Sequence, residues 1–238
     1  MTEVSPVPEK IVKRKTIVYK SRVDPTIVKL TAEKMKNKLF IKFGFSKPRP
    51  EEIRVVSVDK YYEPYVLIDG KYSVDYYKKR VYTLDVDRRT EKVKILDQMF
   101  TPESLVGPTG ETRKVIKLEA EESLSYEDKA YITLDKLGRE IPPDQVPSAP
   151  SEDHPQKILE EFGKKAGRVK ISPEKGVEII KSRIVKRPPD ADRVENELFQ
   201  ISEYVLIYSP IYEITFRNLK TGEEKVIKID GVTAKIIP

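Results

Sequence analysis

The sequence predicts an α+β protein of two repeated units, each one helix packed on a small antiparallel sheet. An extra hairpin and a proline-rich linker join the units. Three observations predict this. The stretch 204–238, YVLIYSPIYEITFRNLKTGEEKVIKIDGVTAKIIP, reads as strand, turn, strand, turn, strand. Each half of the chain opens a helix with a capping residue followed by proline, Asp24-Pro25 and Ser172-Pro173, the pairing that satisfies an orphan backbone donor and pre-sets the first helical φ. Five prolines crowd into 141–155, the composition of an extended, semi-rigid connector. The expected organisation is a flexible basic tail over 1–15, an N-terminal domain over 16–140, a linker over 141–155 and a C-terminal domain over 156–238.

Taken in order, residues 16–20 read as a short strand. The helix after Asp24 carries Val28, Ala32, Met35 and Leu39 on one stripe, the spacing of a buried face. Lys34 and Lys38 lie one turn apart on a more polar side, and Gly44, Pro48 and Pro50 end the unit. From Ile53 the pattern turns to strands. Asp69-Gly70 is a hairpin signal. A second hairpin is expected between 81–87 and 93–96, turning at Arg88-Arg89-Thr90. Seven of the 13 tyrosines fall between Tyr61 and Tyr82, where a pleated, half-buried sheet suits them. Strands are expected over 114–121 and 129–135, with Ser125 to Asp128 between them. A short helix follows over 155–166, with Ile158, Leu159, Phe162 and Ala166 inward and Gly167 at its C-cap. The last helix presents Val177, Ile180 and Ile184. In the final meander, Asn218 to Gly222 and Asp230 to Thr233 are turns.

The chain has no Cys and one His, His154, in the linker. Thiol chemistry and His-rich metal sites are therefore excluded. No apolar leader opens the sequence and no run approaches ~18 apolar residues, so the expected setting is cytoplasmic. Lys and Glu are abundant, while Asn and Gln total seven, a balance that resembles thermophile proteins. The net charge of +6 is uneven: residues 1–50 carry 13 basic and 4 acidic residues, and residues 101–150 carry 6 and 10. The basicity belongs to the N-terminal part.

The two halves share an element order. After each capped helix come Lys47-Pro48-Arg49-Pro50 in one half and Lys186-Arg187-Pro188-Pro189 in the other. Each half closes on Asp-x-x-Thr-x-Lys-aliphatic: Asp87, Thr90, Lys92 and Val93, then Asp230, Thr233, Lys235 and Ile236. This unit resembles PepSY-type domains. The resemblance rests on the helix opening at Ser172-Pro173, on Tyr212-Glu213-Ile214, and on Val226 to Ile229 leading into Asp230-Gly231-Val232-Thr233. It covers 172–237 and, more faintly, 24–96. It implies a helix paired with a small antiparallel sheet and a non-catalytic role in binding or restraining other proteins.

No catalytic motif stands out. Asp85 and Asp87 share a strand face, but no partner gathers near them in sequence. No cofactor, metal or catalytic residue is expected. Two functions remain. One is a binding or scaffolding protein that presents sheet surfaces to a protein partner. The other is a nucleic-acid binder, whose contacts would be Lys13, Arg14, Lys15, Lys34, Lys38, Tyr76, Tyr77, Lys78, Lys79, Arg80, Arg88 and Arg89. Basic residues interleaved with aromatics can track phosphates and stack bases.

Overall fold

The computed structural model describes residues 6–40, 49–108 and 110–237, with the side chains of Asn37 and Lys38 outside that set. Gly44, Lys47 and Pro48, read above as part of the first helix's end, lie outside the described residues. Three very long strands dominate: β3 (Ile53–Val86), β7 (Thr112–Leu134) and β8 (Arg193–Asn218). Shorter strands are β1 (Glu9–Ile11), β2 (Lys15–Val18), β4 (Val93–Ile95), β5 (Gln98–Phe100), β6 (Glu103–Val106), β9 (Glu224–Asp230) and β10 (Ile236–Ile237). The α-helices are α1 (Pro25–Leu39), α2 (Pro155–Phe162) and α3 (Pro173–Ile184).

One eight-stranded sheet runs β10-β9-β8-β3-β7-β6, with β1 and β2 also paired to β8; β4 and β5 form a separate two-stranded sheet. The β9 and β10 pairings are antiparallel, and β2 joins β8 in parallel. The expectation of two repeated helix-on-small-sheet units is therefore wrong. The physical reason lies in which strands the helices cover. The α1 residues Val28 and Ala32 share a core with Tyr212, Ile214 and Phe216 of β8, Ile227 and Ile229 of β9, and Ile53 at the start of β3. In turn α3 sets Gly176 against Ile68 and Ile180 against Gly70, both on β3. Each helix lies largely on strands of the other supposed repeat.

The turn signals inside the long strands are overridden. Asp69-Gly70 stays extended within β3, and Ser125 to Asp128 stay extended within β7. Val93–Ile95 pairs with Gln98–Phe100 instead of returning to β3. Helix α2 ends at Gly163, φ 48°, rather than at Gly167. Gly167 instead lies against Pro64 and the carbonyl of Tyr62, which accepts its N–H at 2.9 Å.

Several local readings match the structure. Asp24 caps α1 by accepting the Thr26 N–H at 2.7 Å. At the other end, not foreseen from the sequence, Lys225 donates to the Leu39 carbonyl at 2.6 Å, a cation where the helix carries its negative pole. Asn218 Oδ1 accepts from Lys220 and Thr221, and Asp230 Oδ1 from Val232 and Thr233.

The chain divides into two compact units. One comprises the described residues of Met1–Glu9, Tyr72–Asp128 and Val185–Phe199; the other those of Lys10–Lys71, Lys129–Ile184 and Gln200–Pro238. In the second unit, Tyr62, Val66 and Ile68 alternate along β3 with half-buried residues and are themselves buried. Each such side chain contributes roughly 1.5–3 kcal/mol. Phe162 of α2 meets Tyr62 edge-on at 4.8 Å. Among the described residues no helix is long and apolar enough to cross a membrane.

Candidate functional site

The first unit is a ribbon built from residues 72–86 of β3, 112–128 of β7 and 193–199 of β8. Cross-strand contacts define its register. Asp75 accepts from Ser125 at 2.8 Å and Arg113 reaches Asp85 at 3.4 Å. Residue numbers fall on one strand as they rise on the other, so β3 and β7 are antiparallel.

One end of the ribbon is anchored by a half-buried polar network. Glu197, with only 5% of its side chain exposed, accepts both Arg187 Nε contacts, at 2.8 and 3.0 Å. It also accepts the Tyr72 hydroxyl at 2.7 Å. The Arg187 hydrogen bonds hold the Glu197 carboxyl below the usual glutamate range, against the opposing push of burial. Burial first, and then the bond to Glu197, raises the Tyr72 phenol. Tyr126 packs edge-to-face on Tyr72 at 6.3 Å.

Beyond Lys78 the ribbon opens. Every residue from Lys79 to Asp85 is exposed, so both faces of this part of β3 meet solvent. A shallow depression of about 400 Å³ lies among Lys79, Arg80, Val81, Glu119, Ala120 and Glu121. The apolar side chains here are unusually open: Val81 is 55% exposed, Leu84 44% and Met99 59%.

The β4–β5 hairpin carries the sharpest local anomaly. Ile95 pairs with Gln98, so Leu96 and Asp97 form a two-residue turn. Leu96 has φ 50° and is 91% exposed. A positive φ at the first turn position suits Gly or Asn. A fully exposed leucine there violates both the turn preference and the burial preference. Such a local violation runs against what folding alone favours.

The sequence-derived nucleic-acid residues are placed as follows. Tyr76 is buried, and Tyr77 lies under the Arg193 guanidinium at 4.0 Å. Lys78 pairs with Asp190 at 2.6 Å, and Arg80 with Glu122 at 3.1 Å. Tyr82 donates to the same Glu122, which this bond and Arg80 hold below its usual range. Lys79, Arg88 and Arg89 are exposed. Asp87 closes the adjoining turn by accepting the Arg89 N–H at 2.8 Å. In the second unit, Lys13 and Arg14 are exposed between β1 and β2, and Lys15 opens β2 opposite Val205. The Arg14 charge offsets part of the upward push of burial on the Tyr204 and Tyr208 phenols. Lys34 is exposed on α1, and the side chain of Lys38 lies outside the described residues.

Sequence reading missed Arg193, Glu122 and Glu197. Their partners are up to 125 positions away, and nothing local signals them. Leu96 was readable: a leucine beside Asp97 between two β-forming runs is an odd turn residue. No family model, no curated protein and no solved structure matches this chain.

Proposed function

We propose that this chain is a non-catalytic binding or scaffolding protein that presents open antiparallel sheet surfaces to a protein partner. The observation that carries the reading is Leu96, an exposed leucine in a left-handed turn position. Its strain and exposure both disfavour it in the isolated chain, and a partner's apolar pocket would recover the second cost. Met99 on β5 and Val81 and Leu84 on β3 add exposed apolar area in the same unit. The charges around Val81 are mixed in sign, Lys79 and Arg80 with Glu119 and Glu121. This mixture gives register and specificity rather than bulk attraction to one polyanion.

The test is capture from the source organism, with and without nuclease, using the wild-type chain and Leu96→Asn. A purified partner should lose affinity about tenfold or more with the variant, the scale of a hot-spot truncation. Equal affinity of both chains would remove Leu96 as the anchor. Capture abolished by nuclease would favour a nucleic acid instead.

A further inference from the structure

We propose that Lys60 is a modification site: a reactive amine that condenses with carbonyl compounds carrying an anionic group. The inference rests on the second unit alone and is independent of the partner reading above.

Lys60 lies on β3 and is half-buried. Its Nζ sits 5.2 Å from the Tyr62 ring centroid and 5.5 Å from that of Phe162. Those two rings meet edge to face at 4.8 Å, with an interplanar angle of 88°. Neighbouring lysines are differently placed. Lys165 pairs with Asp59 at 2.9 Å and Lys136 with Glu63 at 2.8 Å. Lys60 has no carboxylate within ion-pair distance among the described residues. An ammonium set beside a pair of rings rather than acceptors loses hydration on that side and recovers only part of it from the rings. Burial accordingly lowers the Lys60 pKa, and the more distant Glu152 and Glu161 oppose this only in part. A larger share of the side chain is then the neutral, nucleophilic amine.

Access and selectivity come from the same place. Lys60 opens on a shallow, solvent-open depression of about 510 Å³ shared with Val58, Asp59, Glu161, Phe162, Lys164 and Lys165. Phe162 supplies an apolar wall. Lys164 is exposed and supplies a cation for a phosphate or carboxylate on the incoming molecule. In the reaction, the neutral amine adds to the carbonyl carbon and the carbonyl oxygen gains a proton. The resulting carbinolamine then loses that oxygen as water, and a C=N bond forms. Amine and aldehyde give imine and one water, with no oxidant or reductant required.

Pyridoxal 5′-phosphate serves as the probe on the full wild-type chain. Imines are trapped with cyanoborohydride, which delivers hydride to the imine carbon, and sites are read by peptide mass mapping over time. Lys60 should label about threefold or more faster than the exposed Lys29 and Lys220, the direction that burial of an amine dictates. Inorganic phosphate should slow Lys60 selectively. Lys164→Ala should erase the preference of Lys60 for pyridoxal 5′-phosphate over pyridoxal while both still label it. Lys60 labelling no faster than Lys29 and Lys220 overturns the proposal. Equal rates for the two aldehydes in the wild-type chain overturn its anionic part.

Discussion

Ile180 of α3 rests on Gly70 of β3 so closely that no Cβ fits between them: a side chain at Gly70 would collide with Ile180 Cγ2 and press on Ile201 Cδ1 at 3.3 Å. Gly70→Ala should therefore cost about 1–3 kcal/mol by overpacking, despite the better strand propensity of alanine. Ile180→Ala, which removes the Cγ2 that a Cβ at Gly70 would meet, should cost less in the Gly70→Ala background than in the wild type, a coupling that urea melts of both single variants and the double variant would measure. Additive melts would show that the glycine serves backbone freedom instead.

The Glu197 network should appear in acid unfolding. The folded carboxyl is depressed by Arg187. Its contribution is therefore complete above the ordinary glutamate value of about 4.3 and is lost as pH falls through the lower folded value. Glu197→Gln should flatten that part of the stability–pH curve. Arg187→Ala should cost about 3 kcal/mol at neutral pH by leaving a buried carboxylate unpaired. A pH series of denaturant midpoints checks both, and an unchanged acid limb in Glu197→Gln would refute the assignment.

The two aspartate turns look alike in sequence but differ in burial. Asp230 is 9% exposed and satisfies two backbone N–H groups, whereas Asp87 is exposed and satisfies one. Asp230→Ala should cost about 1–3 kcal/mol. Asp87→Ala should stay within about 0.5 kcal/mol. Thermal or chemical melts that ranked them equally would contradict the burial argument.

Leu96→Asn should act oppositely on stability and on binding. Asparagine accepts the positive φ, so the fold should hold or gain up to about 1 kcal/mol while partner affinity falls. A loss of both would mean that Leu96 packs for stability.

The ion pairs and stacking in the ribbon set an expectation for nucleic acid as well. Tyr77 and Tyr82 already engage Arg193 and Glu122, so their replacement by Ala should leave single-strand affinity unchanged at physiological salt. Lys13, Arg14 and Lys15 reversed to Glu should reduce only a weak, salt-sensitive association, with a slope of roughly 0.7–0.9 per contact. An electrophoretic shift series with folding controls reads this. Sub-micromolar, tyrosine-dependent binding would displace the protein-partner proposal.

Much of the local structure was legible in the residues. Asp24-Pro25 and Ser172-Pro173 open helices where the chain does form them, and Asn218 and Asp230 build the turns that their side-chain oxygens suggest. These signals act through bonds to backbone only two or three residues away, so the sequence by itself determines them. The stripe Val28, Ala32, Met35, Leu39 likewise determined which face of α1 is buried. It carried no information about the strands beneath, because apolar burial is non-directional. Only the tertiary structure placed α1 on β8 and β9 and α3 on β3, and with that it dissolved the repeat. The same long-range packing kept Asp69-Gly70 extended under Ile180, where a local rule predicts a turn. It also brought Lys60 against the pair formed by Tyr62 and Phe162, residues about a hundred positions apart whose meeting depends on α2 docking against β3.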